Sequence, residues 1–287
     1  MSARFGVAGN SDTFTRTVSR ASADAPAWLR SIGLDCYEYQ CGQGVRVGEA
    51  TARTIGANAA RAGIALSLHA PYFINLSNPA PEALARNTGH VLAACRAAQW
   101  MGAARVVVHA GALMGRGRAE ALETAKASLR EILRAVRAAG YGEIALCPET
   151  MGKINQLGDL EEVLALCRMD EALIPCVDFG HLYARSLGAL DGAEAFSAML
   201  DRMEDVLGAA RARRFHSHFS KIEFTPRGGE KRHLRFADPG WGPDFRPLAA
   251  EVVRRGWEPV FICESAGTQS EDALEMRRIY DSCKGEE

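Results

Sequence analysis

The sequence predicts a TIM barrel, a closed ring of eight βα units that forms one domain over residues 1–287. Short apolar segments alternate with longer segments rich in Ala, Leu, Arg and Glu, which is typical of strands that alternate with helices. Segments such as 105–110 and 259–264 are apolar almost throughout, which favours parallel strands buried on both faces. A chain of this length is common for a single α/β barrel.

The predicted elements follow one another in strict alternation. The strands are 4–8, 35–40, 64–70, 105–110, 143–149, 173–178, 214–220 and 259–264. The helices are a first one around 13–31 that Pro26 interrupts, then 48–62, 82–101, 119–139, 159–168, 193–211, 245–255 and 271–281. Four of them are followed by a helix-ending glycine, at Gly63, Gly102, Gly140 and Gly256. The longest irregular segment, 221–244, is predicted to be a long functional loop.

Composition limits the classes of partner and the compartment. The formal net charge of -1 provides no bulk positive field, so nucleic acid could be bound only through a local basic patch. The eight cysteines include no C-x-x-C pair, which favours buried, reduced thiols in an intracellular protein. No apolar leader or 18-residue apolar segment occurs. We therefore expect a cytoplasmic protein with no membrane partner, and we expect it to be a monomer.

Metal-ligand-type side chains stand at the carboxyl ends of the predicted strands. These ends share one mouth of a TIM barrel, so the side chains are expected to meet in one pocket. The main set is His69, His109, Glu149, Asp178, His216 and Glu264. Imidazoles and carboxylates without thiolates suit Zn²⁺ or Mn²⁺ in a hydrolytic or isomerase site. Six ligands exceed the need of one tetrahedral ion, whereas a carboxylate that bridges two ions would use them all.

A structural interpretation competes for each residue taken alone. A single His or Glu at a strand end is more often hydrogen-bonded within the fold than bound to metal. Six such residues at equivalent positions favour a shared metal site. We interpret His218 and Glu38 as neighbours of that site, and His90 as a structural residue within a helix.

Several segments resemble motifs of one enzyme family. HAPYFINL (69–76) resembles a motif of the endonuclease IV family of apurinic/apyrimidinic endonucleases, within the xylose-isomerase-like TIM barrels. VVHAG, CPETMG, CVDFGH, HSHFSK, KRH and CES follow in order and resemble that family's HPG, ENTAG, DTCH, HLND(S/A)K, DRH and LET segments. The likeness covers about residues 60–267. The family's N-terminal G-x-H-x-S pattern is missing, since this chain reads GVAGNS there.

The resemblance implies a centre of three metal ions, usually zinc, and the departure at Lys231 leaves two or three as the expectation. It assigns His69, His109 and Glu149 to the first ion. Glu149 would bridge to a second ion that the remaining ligands of the main set, Asp178, His216 and Glu264, would hold. The third ion would be bound by His181 and His233, but Lys231 stands where the family has an aspartate.

The resemblance also implies hydrolysis of the DNA backbone at abasic sites of duplex DNA, as in base excision repair. Glu149 or Glu264 would orient the attacking water, and Tyr72 and Phe73 would enter the abasic gap. A local basic patch would contact phosphates, although each of its members can equally be a solvated loop charge. Its members are Lys221, Arg227, Lys231 and Arg232, with Lys153, Arg185 and Arg46 on the same face.

The alternative is a sugar isomerase or epimerase on the same barrel, with one divalent ion. Glu149 and Glu264 would then act as acid and base, and Lys231 would neutralise an enediolate. The near-neutral charge and Glu38 favour this alternative. A wide basic crescent at the barrel mouth would favour DNA, and a closed polar cup would favour a sugar. A non-catalytic metal-dependent binding protein is a third hypothesis.

Overall fold

A computed structural model describes residues 2–285 and contains a closed barrel of eight parallel strands, which confirms the predicted fold class. The barrel strands are β1 (Arg4–Ala8), β2 (Cys36–Gln40), β3 (Ala65–His69), β4 (Arg105–His109), β5 (Ala145–Glu149), β6 (Cys176–Asp178) and β7 (His216–Phe219), closed by β10 (Val260–Cys263) between β7 and β1. A separate antiparallel hairpin consists of β8 (Lys221–Thr225) and β9 (Gly229–Leu234). Each predicted strand corresponds to an observed one.

The helices form the outer layer, where most of the predicted ones are found. They are α1 (Asp12–Thr17), α2 (Ala25–Ser31), α3 (Glu49–Ala62), α4 (Pro81–Met101), α5 (Arg118–Ala138), α6 (Leu160–Cys167), α7 (Phe179–Arg185), α8 (Gly192–Leu207), α9 (Ala209–Ala212), α10 (Phe245–Arg254) and α11 (Gln269–Lys284). The single first helix predicted at 13–31 is wrong, because Pro26 lies in the first turn of α2, where proline is tolerated. Helix α7 was not predicted; its seven residues are too few to show helical periodicity.

Strand alternation divides the core into two regions. Outward-facing residues such as Tyr37 and Leu68 belong to the large apolar core shared with the helices. Their neighbours Cys36, Glu38 and Ser67 face the barrel lumen and are buried there. The lumen therefore contains polar and ionisable side chains where TIM barrels usually hold branched apolar ones.

The segment predicted as a long loop, 221–244, is not irregular throughout, because its first part is the β8–β9 hairpin. The hairpin is tied to the loop after β5 by two backbone hydrogen bonds, from Glu230 N to Gly152 O (3.0 Å) and from Ile154 N to Gly228 O (3.2 Å). Two loops at the barrel mouth are thereby held in a fixed relation.

The hairpin contains a β-bulge. Glu223 pairs with Arg232, but the next residue, Phe224, pairs with Glu230, so Lys231 is the extra residue. A bulge shifts the alternation of side chains by one position. Its effect on the mouth of the barrel is described below.

All eight cysteines are free and buried, as expected from their spacing. Within residues 2–285, no helix has the length and apolar character needed to cross a membrane.

Helix packing gives a direct test of the fold. A Cβ atom on Gly56 in α3 would lie 2.4 Å from the backbone carbonyl oxygen of Met101 at the end of α4. Gly56→Ala should therefore lower the free energy of unfolding by about 1–3 kcal/mol in urea denaturation. Gly89→Ala in α4 is the control, since its Cβ would meet nothing within 4 Å. It should raise stability by about 0.5–1 kcal/mol. Equal effects of the two substitutions would contradict this packing.

Candidate metal centre

The carboxyl ends of the barrel strands surround a cavity of about 480 Å³. Its lining includes the ligand-type residues His69, His109, Glu149, His181, His233 and Glu264. The sequence prediction that strand-end residues meet in one pocket agrees with this geometry. Among residues 2–285, the ligand-type atoms around the cavity fall into three neighbouring groups, two of which share Glu149. A deeper group consists of Cys176, His216 and His218.

The first group consists of His69, His109 and Glu149. The Nε2 atoms of both histidines lie 3.2 Å from Glu149 Oε2. Their Nδ1 atoms contact backbone carbonyl oxygens, of Ala70 for His69 (2.7 Å) and of Tyr72 for His109 (3.1 Å). Because a carbonyl oxygen only accepts, each Nδ1 carries the hydrogen. In the neutral form, both Nε2 lone pairs then face the carboxylate, as in metal-binding histidines.

The second group is formed by Glu149, Asp178, His218 and Glu264, whose ligand atoms all lie within 4.8 Å of one another. His218 Nδ1 is 2.8 Å from Glu149 Oε1 and 3.6 Å from Glu264 Oε1. Asp178 Oδ1 accepts from the backbone N–H of His181, whereas the buried Oδ2 has no hydrogen-bond partner. An orphaned buried carboxylate oxygen is costly, and a cation in this group would satisfy it.

The structure corrects one predicted ligand, because His218 rather than His216 lies beside Asp178. In the parallel pairing of β6 and β7, Asp178 is level with His218, while His216 is level with Cys176, one layer deeper. His216 instead contacts Glu38, with 2.8 Å between Nε2 and Oε2. Burial lowers the pKa of His216 to about 4. We therefore assign His218 to the second group and His216 to the layer beneath it.

The third group consists of His181, His233 and Glu230. Glu230 lies 3.6 Å from His181 Nε2 through Oε2 and 4.0 Å from His233 Nε2 through Oε1. The Nδ1 atoms are again occupied, by Thr150 O for His181 (2.8 Å) and by Ser220 Oγ for His233 (2.8 Å). Burial lowers the pKa of His181, but the neighbouring carboxylates outweigh it and raise that pKa to about 9. A cation bound in the third group would replace the proton on His181 as the positive charge that balances these carboxylates.

The β-bulge explains why Glu230, and not Lys231, completes the third group. In a regular strand, Lys231 would share a face with His233. The bulge gives that place to Glu230. Lys231 is left exposed beside Glu223, with 2.5 Å between Nζ and Oε1. Gly152 permits the approach, since a Cβ there would lie 2.7 Å from the Cβ of Glu230. The expectation that Lys231 replaces the third carboxylate is therefore corrected.

Two predicted DNA-contacting cations are used within the chain. Lys221 donates from Nζ to the carbonyl oxygens of Phe236 (2.7 Å) and Asp238 (3.1 Å). Arg185 donates to carbonyl oxygens of the loop after β5, among them that of Met151 at 3.0 Å. Both cations therefore stabilise loops at the barrel mouth.

Other members of the predicted basic patch lie on the hairpin. Arg232 and Lys231 share Glu223, with 2.7 Å between Arg232 Nε and Glu223 Oε2. Arg227 is exposed at the hairpin turn. The hairpin thus presents cations to solvent, but part of their charge is neutralised. These hairpin cations do not form a continuous basic crescent.

Two aromatic residues stand at the rim as predicted, with Tyr72 51% and Phe73 55% exposed. The Tyr72 ring is stacked on that of His109 (5.6 Å between centroids, 13° between planes), and its hydroxyl donates to Gln40 Oε1 at 3.0 Å. Phe73 contacts His90 edge to face. The rim therefore offers flat apolar surface beside the first group.

The predicted ligand set did not include His218 and Glu230, although both are neighbours of predicted ligands in the sequence. The H-x-H spacing of β7 carried a signal for the former, since both histidines must face the lumen. The donor set as a whole, imidazole nitrogens and carboxylate oxygens, fits Zn²⁺ or Mn²⁺.

The chain is thus a closed parallel α/β barrel with histidine–carboxylate groups that could hold metal ions. The chain belongs to the xylose isomerase-like TIM barrel family, whose model matches residues 26–281.

Similar proteins include both nucleases and sugar enzymes. An uncharacterized protein of Methanocaldococcus jannaschii is 29% identical over 253 residues, which are 88% of this chain and 89% of that protein. A probable endonuclease 4 of Nitratidesulfovibrio vulgaris is 28% identical over 74% of this chain and 73% of its own length. Endonuclease IV of Thermus thermophilus superposes with a TM-score of 0.70 at 21% identity, covering 99% of this chain and 100% of that one. A D-tagatose 3-epimerase-like protein matches with a TM-score of 0.71 at 17% identity, covering 99% and 98% of the two chains. At these identities the two structures show the fold alone.

The third group can be tested by a matched pair of substitutions. Glu230→Gln should remove about one bound ion per chain or weaken it about 10–100-fold, because the group loses its carboxylate. Lys231→Gln, one residue away but directed outward, should leave metal content unchanged. The measurement is metal per chain by mass spectrometry after equilibration with Zn²⁺ and gel filtration. Loss of an ion in Lys231→Gln alone would contradict the role given to the bulge.

Proposed function

We propose that the protein is a metal-dependent phosphodiesterase that, like endonuclease IV, hydrolyses the DNA backbone at abasic sites. The observation that carries the proposal is the third group of His181, Glu230 and His233 beside the other two. The endonuclease IV family is the one whose resemblance implies three ions, whereas a sugar isomerase needs one. The fold is common to both classes, so it does not by itself separate them.

Each residue has a definite part in this proposal. Glu149 lies between the first two groups, with Oε2 towards His69 and His109 and Oε1 towards His218. Divalent cations in these groups would supply a water acidified towards neutral pH and positive charge opposite the phosphate oxygens. The Glu149 carboxylate would hold the first two sites at a fixed separation.

Glu264 is suited to orient the attacking water. It is 15% exposed and lies 3.6 Å from His218 and 4.0 Å from His233, so it reaches from the second group into the cavity. Hydrolysis forms a bond from the water oxygen to phosphorus and breaks the bond to the leaving sugar oxygen, which takes up a proton. Tyr72 and Phe73 at the rim would fill the space beside an extruded abasic nucleotide, whose removal from the duplex costs little because no base is stacked.

A second candidate, a sugar isomerase or epimerase, is favoured by one specific observation. Two of the cations expected to bind DNA, Lys231 and Arg232, are paired with a carboxylate, and Lys221 is bonded to backbone carbonyls. The cavity, which Lys153 also lines, presents the neutral amides of Gln40, Gln156 and Gln269. Amides of this kind suit hydroxyl groups. Glu149 and Glu264 would then act as base and acid on one divalent ion.

A cleavage assay separates the two functions. The Zn²⁺- or Mn²⁺-loaded protein should nick duplex DNA that carries a tetrahydrofuran abasic analogue. Glu149→Gln should lower the rate by a factor on the order of 10³ with the fold retained, since it removes the charge shared by two groups. Glu143→Gln, an exposed change just before the same strand, is the matched control.

Absence of cleavage with either metal would count against the nuclease. Interconversion of ketohexoses by the same preparation, lost in Glu149→Gln and retained in Glu143→Gln, would establish the sugar enzyme instead.

A further inference from the structure

A chain of buried polar side chains runs through the barrel lumen beneath the candidate metal centre. Arg105 Nη1 lies 3.4 Å from His216 Nδ1, and His216 Nε2 lies 2.8 Å from Glu38 Oε2. Glu38 Oε1 is 2.9 Å from Nε2 of His218, which belongs to the second group. Glu38, His216 and His218 are all 0% exposed. Neither the proposed chemistry nor the packing of the apolar core accounts for this row of hydrogen-bonded side chains.

Hydrogen-bond donors surround the Glu38 carboxylate. Besides the two histidines, Ser67 Oγ donates to Oε2 (2.8 Å) and Gln40 Nε2 donates to Oε1 (3.1 Å). Each Glu38 oxygen thus faces a donor other than the two histidines as well as one imidazole nitrogen, which is the environment of an ionised carboxylate. An ionised carboxylate only accepts hydrogen bonds, so each imidazole must present an N–H to it.

This requirement fixes the atom that His218 offers to the second group. With the hydrogen on Nε2, the lone pair of neutral His218 is on Nδ1, which faces Glu149 and Glu264. The tautomer of a metal-binding histidine is commonly set by a carboxylate in this way. We propose that Glu38 is a positioning residue that holds His218 in the Nε2–H tautomer and so makes Nδ1 its metal-binding atom. The inference rests on the proposed metal centre.

Glu38→Gln should reverse the tautomer of His218 in particular. The glutamine amide has a carbonyl oxygen that accepts and an NH₂ group that only donates. The imidazole that faces the NH₂ group must therefore turn a lone pair towards it. His216 is unable to do so without placing an N–H at Nδ1 against the Arg105 guanidinium, which has only donors. The amide NH₂ therefore faces His218, whose hydrogen moves to Nδ1.

The experiment compares Glu38→Gln with Ser67→Ala. Ser67→Ala removes a hydrogen bond from the same carboxylate but changes nothing that faces His218. Metal per chain and the visible spectrum of the Co²⁺-loaded proteins report the second group. Long-range ¹H–¹⁵N spectra of labelled histidines report the tautomers with and without Zn²⁺. Glu38→Gln should weaken one ion about 10–100-fold and shift the His218 hydrogen to Nδ1, while Ser67→Ala keeps both wild-type properties.

Several outcomes would overturn the inference. They are wild-type metal affinity in Glu38→Gln, equal losses in both variants, or an unprotonated Nε2 on His218 in the wild-type protein. The last measurement needs no variant, so it decides even if Glu38→Gln does not fold. If the wild-type protein binds no Zn²⁺, the proposed function fails, while an unprotonated Nε2 on His218 in the metal-free protein would separately overturn the role of Glu38.

Discussion

The compensation of buried negative charge is the constraint on which the rest of the structure depends. Glu38, Glu149 and Asp178 are each at most 1% exposed within the barrel. An uncompensated buried carboxylate is among the most costly features a fold can contain. Imidazoles satisfy the first two, but Asp178 keeps an oxygen without a hydrogen-bond donor. That oxygen lies 3.3 Å from His181 Nδ1, so buried carboxylates are balanced by imidazoles where the three groups meet.

Strand alternation explains how this charge is arranged. Because side chains point inward at every second residue, β7 sends both His216 and His218 into the lumen, one layer apart. The lower layer is closed within the protein by Arg105 and Glu38. The upper layer opens into the cavity, and the histidine nitrogens there that do not contact a backbone carbonyl or a hydroxyl face carboxylates. Glu38 connects the two layers, since its two oxygens contact one histidine of each.

The sequence was sufficient for the barrel and for the convergence of several strand-end side chains on one cavity. The strand ends of a parallel barrel converge whatever the exact pairing of the strands. This made it possible to predict His69, His109 and Glu149. The choice between His216 and His218 could not be predicted, because both face inward and only the pairing with β6 shows which is level with Asp178. The hairpin within 221–244 and its bulge could not be predicted from the sequence either, since a bulge depends on how two strands pair. The pairing of Lys231 and Arg232 with Glu223 follows from the same register and could not be read from charge counts.

The bulge in β9 bears most directly on the kind of substrate. Regular pairing would place the Lys231 ammonium in front of His181 and His233, where it would repel a cation. In a sugar enzyme with a single ion, an ammonium at that place could neutralise an enediolate. The observed register instead turns one anion, Glu230, inward and two cations, Lys231 and Arg232, outward. Backbone hydrogen bonds to the loop after β5, together with the absence of a side chain at Gly152, hold this arrangement in place. In the proposed nuclease, the hairpin would contribute one carboxylate to a third ligand group and present its basic residues on the outer surface, where a polyanion would approach. The ion pairs of Lys231 and Arg232 with Glu223 would weaken the attraction for that polyanion.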